Sequence, residues 1–114
     1  MLGIDLVEIA QIKLIYQKHR LNFLEKILDR NELNDLPAAN SQQFFKRLGC
    51  YIAAKEAVFK ACSEYNLDWQ DISIRDISQD PRVRIKKIGV KVKIALSLMA
   101  AKDIILSQAI LIQN

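Results

Sequence analysis

Glycine and proline are scarce, at three and two residues in a chain of 114. That scarcity argues against a turn-dense all-β protein, which needs such residues at its reversals. Histidine occurs once, at His19, and cysteine twice, at Cys50 and Cys62. One histidine and two separated thiols make no zinc site. Both cysteines fall in a stretch of helical period, about 18 Å apart along its axis and beyond disulfide reach. They fit small buried groups in a reducing compartment. Long apolar runs are missing too. Ile94–Ala101 ends at Lys102-Asp103, far short of a bilayer span. Asp5 and Glu8 interrupt the N-terminal apolar stretch, so no secretory signal is read there and a cytoplasmic protein is expected.

What is present is 51% apolar sequence, which excludes disorder as the global state. The length suits one domain, residues 1–114, able to bury roughly two thirds of its unfolded surface. Such a chain is small to enclose a large cofactor, which points to a site shared between subunits. The net charge is +4, but the pattern says more than the sum. Lys13, Lys18 and Arg20 form a base-only run. Arg82, Arg84, Lys86, Lys87, Lys91, Lys93 and Lys102 form another, while four aspartates against Arg75 lie between Asn66 and Asp80. Segregated charge points to an acidic or phosphorylated partner.

Leu2, Ile4 and Leu6 alternate with Gly3, Asp5 and Val7, a strand pattern. Helical spacing follows through Ile9, Ile12 and Ile15-Tyr16, and again over Asn22–Arg30. Pro37 breaks the chain, and Ser41 is placed to cap a long helix from Gln42 to about Ser63. Period two then dominates: Ile72, Ile74 and Ile77; Val83 and Ile85; Val90 through Leu98; and a last strand, Asp103–Ile112, apolar enough to be buried on both faces. The fold class is α+β, a mostly antiparallel sheet packed against a long helix and shorter helices.

Two features carry chemistry. Asp5 is a carboxylate in an apolar strand, on the face of Gly3 and Val7, where an unpaired charge is costly. Glu56 and Lys60 stand i, i+4 in the apolar stretch "AAKEAVFKA", Ala53–Ala61, and project from one helix face. Asp5 and Glu56 are hard oxygen ligands suited to Mg²⁺, which takes one or two carboxylates and fills its octahedron with water and phosphate oxygens. With Lys60 beside them the set suits phosphoryl-type transfer.

"GIDLVEI" at Gly3–Ile9, "FLEKILDRNEL" at Phe23–Leu33 and "AAKEAVFKA" resemble the holo-acyl-carrier-protein synthase family, small 4′-phosphopantetheinyl transferases. The resemblance runs in order through most of the chain. It implies transfer of 4′-phosphopantetheine from coenzyme A to a serine of apo-acyl carrier protein, a step of fatty acid biosynthesis, with adenosine 3′,5′-bisphosphate released. It implies Mg²⁺ on Asp5 and Glu56, and Lys60 on the diphosphate. Glu56, acting through a metal-bound water, is the first candidate for the general base. The acidic carrier would dock on the helix bearing Lys13, Lys18 and Arg20. Arg82 and Ser97 are the candidates for further coenzyme A contacts. Relatives of this size imply a homotrimer with the site at the subunit interface.

The chain departs from the family at several places. Gln11 and Tyr51 stand where relatives often carry arginine. Ser97-Leu98 stands where many carry Ser-His, and "CSEYN", Cys62–Asn66, replaces a glycine-containing loop. These changes imply altered coenzyme A contacts or reduced activity. Two other readings remain open on the sequence: a basic α+β nucleic-acid-binding module built on Arg82–Lys93, and a relative that binds carrier without transferring.

Overall fold

The computed structural model describes residues 1–113. Strand β1 (Leu2–Glu8) turns its small and polar alternates, Gly3, Asp5 and Val7, inward and leaves Leu2, Ile4 and Leu6 exposed. Helix α1 (Ile9–Ile27) follows at once and bends at Arg20, whose backbone has φ 46° and ψ −127°. The segment expected as a separate helix to Arg30 is thus the continuation of α1 beyond this bend. It stops at Ile27, because Leu28 takes extended backbone. A five-residue helix, α2 (Arg30–Asn34), was not expected from periodicity, which five residues cannot display. It starts on a reciprocal cap: the Glu32 amide donates to Asp29 Oδ1 at 2.9 Å and the Asp29 amide to Glu32 Oε1 at 2.8 Å.

Helix α3 (Gln42–Ala61) matches the expected long helix. Ser41 Oγ accepts from the Phe44 amide at 3.1 Å and caps it. Leu48, Ala53, Ala54, Ala57 and Val58 are fully buried along it, so small side chains let the sheet come close. Two one-turn 3₁₀ segments lead to β2 (Ile72–Arg75), then β3 (Arg82–Ile85), β4 (Lys93–Ala100) and β5 (Ile104–Gln113). All pairings are antiparallel, but they form two sheets instead of one: β1-β5-β4 and β2-β3. Val90 and Val92 lie outside β4, since Lys87–Val90 close a turn with Gly89 at φ 85°. Ile77 is buried, yet it follows β2 instead of extending it.

α3 covers one face of the three-stranded sheet. Gly3 is the closest approach: a Cβ there would stand 2.0 Å from Ala57 O and 2.7 Å from Ala61 N. The expectation that β5 is buried on both faces does not hold within the chain. Ile105, Ser107 and Ala109 are buried under α3, while Leu106, Ile110 and Ile112 are exposed on the other face. Leu2, Ile4 and Leu6 of β1 and Met99 of β4 share that exposure, with Leu2 opposite Ile110 and Leu6 opposite Leu106.

Candidate active site at the edge of the sheet

β1 is an edge strand, and α3 crosses it where Gly3 permits contact. Asp5, two residues further on, therefore meets the last turns of α3. Lys60 Nζ donates to Asp5 Oδ1 at 3.0 Å and to Ile4 O at 2.9 Å. The Asp5 side chain is 16% exposed and that of Lys60 52%. Glu56, one turn before Lys60, is half-buried. Burial raises its carboxyl above the usual range and the Asp5 charge adds to this, while Lys60 opposes. Asp5, some fifty residues before Glu56 and Lys60, thus shares one site with them. Opposite Asp5 on β5, Ser107 is buried. Its hydroxyl donates to Ala53 O at 2.6 Å and lies 3.4 Å from Asp5 O, tying the strand pair to α3.

Lys55, next to Glu56, has a different role. It is fully buried, and its ammonium donates to Glu32 Oε1 at 2.8 Å, Ile27 O at 2.7 Å and Trp69 O at 3.2 Å. Glu32 Oε2 in turn accepts from the Ile74 amide at 2.7 Å. Every hydrogen of the ammonium has an acceptor, the condition under which a buried charge is tolerated. The pair locks the Glu56 turn of α3 to the end of α1, to α2 and to β2. Sequence reasoning missed Glu32; the Asp29-x-x-Glu32 cap pattern and a lysine inside an apolar helix were its available signals.

The remaining candidates lie elsewhere. Lys13, Lys18 and Arg20 are exposed on α1, with Lys13 Nζ 5.7 Å from the Phe45 ring centre. Exposed Leu14, Ile15 and Leu21 accompany them. Arg82 is exposed on β3 opposite Arg75. Ser97 is exposed on β4 opposite Gln108, which also pairs with Ile4 and so faces away from α3. Among the described residues no hydrogen bond or ion pair joins Arg82 or Ser97 to Asp5, Glu56 or Lys60. Tyr51 is buried, and its hydroxyl donates to Asp35 Oδ2 at 2.6 Å, an oxygen that Arg47 also reaches at 2.9 Å. This position packs in the core and ties α3 to the residue that follows α2. Leu98 lines a cleft of about 370 Å³ with Gln43, Lys46, Arg47 and Cys50, apart from the Asp5 edge. Among the described residues no cluster of three or more metal-ligating acids, histidines or cysteines occurs. Two carboxylates are what this edge offers.

Residues 1–104 match the family described as the 4′-phosphopantetheinyl transferase superfamily. The chain is 34% identical over 98 residues to a holo-[acyl-carrier-protein] synthase of Thermodesulfovibrio yellowstonii, covering 83% of this chain and 84% of that one. It is 31% identical over 109 residues to the namesake enzyme of Chlamydia trachomatis, covering 89% of each. Its fold is similar to a solved holo-(acyl-carrier-protein) synthase of Bacillus anthracis in complex with CoA (3′,5′-ADP). The TM-score is 0.82 at 26% identity, over 99% of this chain and 96% of that one. The nucleic-acid reading of Arg82–Lys93 gives way to this agreement. The two motifs that meet at the β1 edge are among the three on which the resemblance rests, and the match extends well beyond them: the chain belongs to the 4′-phosphopantetheinyl transferase superfamily.

Proposed function

We propose that this protein transfers 4′-phosphopantetheine from coenzyme A to a serine of apo-acyl carrier protein. The observation that carries the reading is the convergence of Asp5, Glu56 and Lys60 on one strand edge. The serine oxygen forms a bond to the phosphorus bearing the pantetheine arm. The bond from that phosphorus to the bridging oxygen breaks, and adenosine 3′,5′-bisphosphate leaves with the electron pair. Glu56 is the candidate acceptor of the serine proton, since a raised carboxyl holds a proton better than a solvated one. Lys60 donates to the diphosphate oxygens and offsets the charge that builds on them.

Asp5 and Glu56 fit a Mg²⁺ ion. The Asp5 charge helps to raise the Glu56 carboxyl, so the two groups stand near enough to interact, and both are hard oxygen donors. When bound, the ion supplies charge neutralisation for the diphosphate. The carrier docks on α1 through Lys13, Lys18 and Arg20, with Leu14, Ile15 and Leu21 as apolar contacts. The apolar outer face of β1-β5-β4 supports a homotrimer, in which Arg82 and Ser97 contribute to coenzyme A binding at a subunit boundary. The reaction uses soluble partners, which fits a cytoplasmic enzyme.

Incubation with apo-acyl carrier protein, coenzyme A and Mg²⁺ tests the reading by mass spectrometry. The carrier gains one phosphopantetheine arm. Asp5→Ala and Glu56→Ala each slow the gain by about 100-fold or more. No gain under Mg²⁺ or Mn²⁺ with the cognate carrier overturns it.

A further inference from the structure

Lys60 lies on the oxygen that a divalent ion needs. Its ammonium stands 3.0 Å from Asp5 Oδ1 and 2.9 Å from Ile4 O. A Mg²⁺ ion binds a carboxylate oxygen at about 2.1 Å. An ion on Asp5 Oδ1 would therefore stand within a few ångströms of the ammonium, and two cations that close repel strongly. The two groups differ in freedom. Asp5 is paired to Ser107 in the ladder and is mostly covered, whereas the Lys60 side chain is about half exposed and ends on a flexible stem. Of the two, Lys60 is the one that can move. The Ile4 carbonyl is an acceptor it can give up at small cost, because an edge-strand carbonyl can turn to water.

We propose that Lys60 is a two-position cation: it rests on Asp5 and is drawn onto the diphosphate of coenzyme A, so that coenzyme A binding frees the Asp5 oxygen for the divalent ion. The proposal rests on the transferase reading and adds an order to it. Metal and coenzyme A then bind with positive coupling through this side chain. By linkage each tightens the other by the same factor. A direct bond between metal and diphosphate also couples the two ligands, so the share due to Lys60 is what must be measured.

Mn²⁺ is titrated into the full chain by electron paramagnetic resonance, with and without coenzyme A, for wild type, Lys60→Met and Lys60→Arg. In Lys60→Met, Mn²⁺ alone binds about tenfold tighter than in wild type, and the gain on adding coenzyme A is about tenfold smaller. Lys60→Arg keeps a cation on Asp5 and keeps the wild-type pattern. Two results overturn the proposal. One is an unchanged affinity for Mn²⁺ alone in Lys60→Met. The other is tighter binding with the coenzyme A gain intact, since loss of a nearby charge alone strengthens both states alike. Calorimetry with coenzyme A separates this failure from the larger one. A wild type that binds no coenzyme A refutes the transferase reading itself, whereas normal coenzyme A binding with unaltered coupling refutes only the role of Lys60.

Discussion

Burial and the neighbouring Asp5 charge both raise the Glu56 carboxyl, and Lys60 opposes them without restoring it. The folded protein therefore binds this proton more tightly than the unfolded chain does. Stability is fully present below the unfolded carboxylate range and falls as pH rises towards the folded value. At neutral pH an ionised Glu56 is a standing cost in the unliganded protein. Glu56→Gln should raise the Tm at pH 7, and the difference should vanish near pH 4, about the ordinary carboxylate value. Thermal unfolding at the two pH values checks it; an unchanged or lower Tm at pH 7 contradicts the strain. Asp5, Glu56 and Lys60 were legible in the sequence because charges inside apolar periodicity stand out. Their mutual contact was not, since it depends on how strand and helix cross. Lys55 stood out by the same signal, yet its partner Glu32 sits in a polar stretch where one more acid carries no message. Arg82 and Ser97, expected as coenzyme A contacts of a site shared between subunits, lie away from Asp5, Glu56 and Lys60 within one chain.

Two elements hold the site by devices smaller than a periodicity. β1 lies against α3 because Gly3 has no side chain. A Cβ there would press on backbone atoms of α3 at 2.0 and 2.7 Å, which cannot swing aside as a flexible side chain can. Gly3→Ala should cost about 3 kcal/mol, at the upper end for overpacking. It should also displace Asp5 from Lys60. Chemical denaturation reads the first effect and loss of metal binding the second. α2 depends on Asp29. Burial opposes ionisation there, but the Ser73 hydroxyl, the Glu32 amide, Lys86 and Arg75 together hold the carboxyl down to about 2, from 3.8. A depressed carboxyl stabilises the fold above its unfolded value, and that contribution is lost as pH falls through the folded one. Wild type should lose up to about 2 kcal/mol between pH 4 and pH 2 through this group. Asp29→Asn should flatten that part of the profile. The long periods of α3 and β1 were readable, whereas α2 was too short to show one. β4 was read too early because Val90 and Val92 keep period two through a turn that Gly89 makes.

For the whole molecule the informative surface is the outer face of β1-β5-β4. Leu2 and Leu6, at 55% and 58% exposure, stand beside Met99 at 70% and Ile112 at 58%. Ile4, Leu106 and Ile110 complete the face. An apolar sheet face of this kind marks an association surface. It also bears on β5 reading as buried on both sides: in the proposed homotrimer a second copy would cover the face that one chain leaves exposed. Ser97 lies on that same face, so packing a second copy there would place this residue at a boundary between subunits. The basic α1 faces elsewhere with its own exposed leucines and stays available to an acidic carrier. Leu6→Asp, which puts a charge at the face without touching α3, should convert a trimer of the 13.1 kDa chain into monomers by light scattering. Transfer activity should fall with the trimer fraction, while far-ultraviolet circular dichroism stays that of wild type. A variant that remains trimeric would show that this face is not the interface, and a monomer that retains full transfer would show that one chain suffices.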